Sequence, residues 1–70
     1  MDNVYMYELD LTDLNPQSLT YGHILWWAGR NDEVKAMVKW NEMVEYAQRN
    51  SPCSITFTDH VAERELTTTY

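Results

Sequence analysis

The chain has a single cysteine, two glycines, two prolines and only five Lys/Arg against eleven Asp/Glu. Each scarcity removes a class of protein. Cys53 alone cannot build a disulfide framework within one chain, nor a zinc site on paired cysteines. So little glycine and proline excludes collagen-like and linker-like chains. The longest near-continuous apolar stretch, around 23–28, falls far short of the roughly 20 residues that span a bilayer. The first residues have no basic start, apolar run or small-residue cleavage site, and neither end carries a lipidation motif. The expectation is a soluble cytoplasmic protein with no membrane partner, and an unpaired Cys53 suits a reducing compartment.

Basic residues are as unevenly placed as they are few. Residues 1–29 hold Asp2, Glu8, Asp10 and Asp13 with no Lys or Arg, residues 30–50 balance four acids with four bases, and residues 51–70 are again acidic. The formal net charge is −6. Phosphate binding draws its affinity from Lys and Arg, so direct nucleic-acid binding is not expected. A basic protein surface is the more natural complement to the two acidic ends. The plainer reading is that such a charge is ordinary for a small soluble domain.

What the chain does have is apolar and aromatic surface, 44% and 13% of its residues. That argues against disorder. Seventy residues make one domain, 1–70, which buries only about 60% of its unfolded surface. Residues 4–11 alternate, with Tyr5, Tyr7, Leu9 and Leu11 on one face, which predicts a half-buried strand. Asn15-Pro16 suits a helix start, with Asn as cap and Pro at the first helical position, so a helix over 16–28 closed by Gly29 is expected. A strand over 19–28 is the alternative, because Tyr21, Ile24, Trp26 and Trp27 favour strands and Gly22 costs a helix interior about 1 kcal/mol. Residues 32–49 contain no Gly or Pro and predict a second helix, capped by Asn31 and stopped by Asn50-Ser51-Pro52. Cys53, Ile55 and Phe57 alternate with Ser54, Thr56 and Thr58, and a last strand ending near Thr69 completes a hairpin. The fold class expected is α+β, a small antiparallel sheet of two to four strands packed against one or two helices.

Such a fold needs one apolar stripe per helix. Here the apolar residues of 32–49 cover more than half the circumference, and adjacent Trp26 and Trp27 cannot both face one sheet. The plainer reading fills a core with Tyr5, Tyr7, Leu9, Ile24, Trp27, Met37, Val38, Val44, Ile55 and Phe57, leaving spare aromatics at the edges. The functional reading covers the surplus with another protein, since Trp, Tyr and Met are enriched at interface centres. On that reading Trp26, Trp40 and Met43 are anchors, rimmed by the acids Glu8, Asp10, Asp13 and Asp32.

Reactive groups are thin. His23 and His60 lie far apart without metal-ligand spacing, Cys53 reads as a small buried hydrophobe, and Glu8, Asp10 and Asp13 lack calcium-loop spacing. Gly22 and Gly29 match no nucleotide fingerprint. No catalytic residue, metal site or cofactor is expected. The expected function is protein binding, as a small acidic inhibitor or adaptor for a host protein, for instance one that processes nucleic acid. The parallel with small acidic proteins of viruses and mobile elements is one of size and charge alone. An obligate homodimer with a scaffolding role is the alternative.

Overall fold

The computed structural model describes residues 5–70, and the Val4 start expected for the first strand lies outside the described residues. Strands β1 (Tyr7–Asp13), β2 (Ile24–Arg30), β3 (Cys53–Asp59) and β4 (Arg64–Thr69) form an antiparallel sheet in the order β2-β1-β3-β4. One helix, α1 (Glu33–Arg49), connects β2 to β3 and packs over the sheet. This is the expected α+β architecture, a four-stranded antiparallel sheet with one of the one or two helices expected.

The sheet centre follows from the alternation in β1 and β3. Leu9 pairs with Phe57 and Leu11 with Ile55, so these side chains share the face under α1. Leu9, Leu11 and Ile55 are fully buried, each contributing roughly 1.5–3 kcal/mol of burial. The helix meets them with Ala36, Met43 and Ala47, all buried. The two alanines let the helix approach closely, and the flexible Met43 fills the space left between. Asp32, rather than the expected Asn31, caps α1: its side chain accepts from the Val34 amide at 3.4 Å. Asn31 instead holds the chain before β1, its Oδ1 accepting from the Met6 amide at 2.9 Å.

The expected helix over 16–28 does not form; its second half is β2, as in the strand alternative. The capping chemistry at Asn15 is present. Its side chain accepts from the Gln17 amide and its carbonyl from the Ser18 amide. The turn then fails to propagate. Asp13 draws the chain back, accepting from the Asn15 amide and the Thr20 hydroxyl, while its carbonyl takes the Gly22 amide. Gly22 sits at φ 82°, which glycine adopts without the Cβ penalty. The result is a hydrogen-bonded loop between β1 and β2.

Four of the ten expected core residues are also reassigned. Ile24, Trp27, Met37 and Val38 are exposed, while Ala28, Ala36, Met43, Ala47 and Cys53 are buried. In β2, Trp26 and Ala28 pair with Leu11 and Leu9 and so face α1, which turns Trp27 to the other side of the sheet.

Candidate functional site

The helix does not cover the whole sheet. Its backbone packs on β1, β2 and β3 and does not extend over β4. Leu66 pairs with Phe57 and so points to the same face as α1, yet it remains 60% exposed. The outcome is an open trough between α1 and β4. It is lined by Phe57 and Leu66, with Asp59, Arg64 and Glu65 beside them, and has a volume of about 400 Å³. On the helix side of Phe57, the Trp40 ring packs against it, 5.9 Å away at 75°. Met37 and Val44, three and four residues away, share that flank of the helix. The Tyr7 ring, 6.0 Å from Phe57, extends the apolar wall. Partial burial, followed by the nearby Glu33, Asp59 and Asp32 carboxylates, pushes the Tyr7 phenol above its ordinary range. The Tyr7 end of the trough therefore carries Asp59, Asp32 and Glu33, with Arg64 beside them.

The opposite face of the sheet is polar. By register it presents Glu8, Asp10 and Thr12 from β1, Ser54, Thr56 and Thr58 from β3, and Glu65, Thr67 and Thr69 from β4. The Thr56 and Thr67 hydroxyls meet at 2.9 Å. Among the described strand residues this face carries no Lys or Arg. Partial burial, then the Glu8 and Glu65 charges, raise the Asp10 carboxyl above its usual value. His60 Nε2 lies 3.5 Å from Glu8 Oε1 at the end of this face. Beside these acids Trp27 stands 48% exposed, with the Tyr5 ring edge-on at 5.5 Å.

The predicted docking residues are dispersed. Met43 is fully buried, a core residue beneath α1, and leaves the set of anchors. Trp26 and Trp40 lie on opposite flanks of the helix. Trp26 is half-buried against Tyr46, ring centroids 5.8 Å apart, with Lys39 Nζ 5.3 Å above its indole. Asp13 is buried and organises the β1–β2 loop rather than a rim; the Ser18 and Thr20 hydroxyls and the Asn15 amide hold its carboxyl below the usual range. Asp32 caps α1 near the acidic end of the trough, and Glu8 and Asp10 share the opposite face. The sequence reading missed Leu66 and Trp27 as surface apolar groups, whereas Phe57 packs against the core as expected. The signal for Leu66 was present: Arg64-Glu65-Leu66-Thr67-Thr68-Thr69 places one lone apolar residue on a strand otherwise polar on both faces.

The reactive side chains do not converge. Cys53 is buried and its thiol donates to the Asn50 carbonyl at 3.1 Å; burial, followed by the Asp13 charge, pushes it up, away from thiolate reactivity. His23 and His60 are exposed at different loops. Among the described residues no three His, Cys, Asp or Glu side chains gather as metal ligands, and no helix is long and apolar enough to cross a membrane. No protein-family model, curated protein sequence or solved structure matches this chain.

Proposed function

We propose that this protein is a small acidic protein-binding module, an inhibitor or adaptor, which docks a partner in the trough between α1 and β4. The observation that carries this reading is the uncovered strand. A helix that covers three strands of four leaves Leu66 exposed beside the half-buried Phe57 and Trp40. Contiguous apolar surface of that kind, bordered by charge, is characteristic of protein contact sites. The acids at its end, Asp32, Glu33 and Asp59, outnumber Arg64 there, and together with the net charge of −6 they favour a basic partner over a second, equally acidic copy. A basic host surface, such as one that handles nucleic acid, has the complementary charge.

The test is capture from a host extract by the immobilised protein, compared with Leu66→Glu and with Leu19→Glu in the exposed loop. The expected outcome is a protein retained by the parent and by Leu19→Glu but lost with Leu66→Glu. Identical capture by all three removes the trough from the binding surface.

A further inference from the structure

The uncovered strand is also a sheet edge, and its hydrogen-bonding groups can be assigned from the register. Cys53 and Tyr70 exchange both backbone hydrogen bonds, Cys53 N–H to Tyr70 O at 3.1 Å and Tyr70 N–H to Cys53 O at 2.7 Å. In an antiparallel ladder such pairs alternate with pairs that share none. Ile55–Thr68, Phe57–Leu66 and Asp59–Arg64 are therefore the bonded pairs across β3 and β4. Glu65, Thr67 and Thr69 then turn their N–H and C=O groups away from β3, toward solvent. No described residue pairs with them. The other edge, β2, is less open. The register turns the Gly29 carbonyl outward, where it accepts from Arg30 Nη1 at 2.7 Å, and the Tyr5 ring lies directly against Gly29.

A strand laid along β4 would meet two different surfaces. On the helix side its side chains would lie beside Leu66 and close the outer wall of the trough, a place for apolar residues. On the opposite side they would lie beside Glu65, Thr67 and Thr69, with Asp10 and Glu8 beyond. That side has no basic residue of its own among the described strand residues, so Lys or Arg from outside would supply the missing charge. We infer that the partner adds a β-strand to the outer edge of β4, alternating apolar residues over Leu66 with Lys or Arg against Glu65 and its acidic neighbours. This rests on the protein-binding reading above and specifies how the binding is made. Backbone pairing supplies the affinity and the alternate side chains the selectivity.

The probe is a short acetylated and amidated peptide alternating Lys and Val, with a Glu–Val peptide as control. The whole chain is made by chemical synthesis with and without N-methylation at Thr67, and Thr67→Pro serves as a second variant. Both remove an N–H that points away from β3, so the β3–β4 ladder keeps its own bonds. Folding is checked by circular dichroism. Amide hydrogen exchange by NMR is expected to slow at Glu65, Thr67 and Thr69 with the Lys–Val peptide and not with the Glu–Val peptide. N-methylation is expected to weaken that peptide about tenfold, and Glu65→Lys to weaken it as well. Three results would overturn the inference. Peptide-induced shifts at Trp40, Phe57 and Leu66 without edge protection would leave the trough as a docking site and remove strand addition. Absence of any response to the Lys–Val peptide would remove a basic strand as occupant, leaving the trough to the Leu66→Glu capture experiment. Edge protection that grows with protein concentration alone, with a doubled mass by light scattering, would assign the edge to a second copy.

Discussion

Strand β3 has β1 on one side and β4 on the other, both antiparallel and of nearly equal length, yet the two neighbours have opposite environments. In β1 the alternation delivers Leu9, Leu11 and Asp13 into the interior. In β4 no residue is buried, although Leu66 and Thr68 point to the same side of the sheet as Leu9 and Leu11. Backbone pairing is common to both. The difference is the reach of a single helix, which spans three strands and stops short of the fourth. A period-two pattern fixes which side chains share a face; only the layer above decides whether that face is an interior.

The sharpest way to break this contrast is to remove the same atoms from each strand. Leu11→Ala is expected to cost about 2–5 kcal/mol, enough to unfold much of so small a domain. Leu66→Ala is expected to stay within about 0.5 kcal/mol, as for an exposed site. Urea unfolding measures both, and a large loss for Leu66→Ala would mean that β4 is covered after all. The contrast between the two sheet edges is tested at Gly29. A Cβ there would overlap the Tyr5 ring. Gly29→Val is expected to cost about 1–3 kcal/mol and to separate Tyr5 from Trp27, visible as a change in Trp27 ring-current shifts.

The turn that presents β4 offers a smaller effect. Glu63 occupies a left-handed conformation at φ 56°, while the Asp59 carboxylate accepts from the Val61 and Ala62 amides to hold the loop. Glu63→Gly is expected to stabilise the protein by roughly 1 kcal/mol or less, since glycine relieves the left-handed penalty but loses more chain entropy. A loss of stability would mean that the left-handed penalty at Glu63 is smaller than the chain entropy glycine adds. The acid titration separates two carboxyls of β1. Asp13, held below its usual value, contributes stability that is complete above its unfolded value of about 3.9 and is lost as pH falls through the lower folded one. Asp10, raised, behaves oppositely: its charged form opposes folding at neutral pH, and protonation relieves that cost. Asp10→Asn should therefore stabilise at pH 7 and lose its advantage in acid. Carboxyl NMR shifts that place Asp10 below Asp13 would reverse the assignment.

Much of the fold was legible because its elements are locally consistent. The Tyr7–Leu9–Leu11 and Cys53–Ile55–Phe57 alternations, the uninterrupted 33–49 segment and the closing hairpin all read directly from period and turn residues. The segment before β2 was ambiguous because Asn15-Pro16 carries a genuine helix-start signal. The outcome turned on Asp13, whose hydrogen bonds to residues up to ten positions away no window around Asn15 reveals. The site was less legible. Its aromatic content was visible, but whether Met43 or Met37, Trp26 or Trp27 faced outward depended on two alanines being the helix's contact with the sheet. Alanine carries little weight in an apolar pattern, so the stripe appeared to run through the larger residues beside it.

The loop joining β1 to β2 has a practical consequence. It is tied at its base by the Asp13–His23 and Asp13–Gly22 backbone bonds, and its tip exposes Leu19 entirely. A fluorophore, affinity tag or short inserted sequence placed at Leu19 would thus hang from a closed ring of hydrogen bonds and spare the interior from distortion. The molecule has its own attachment point, away from the strand on which its contacts are proposed to form.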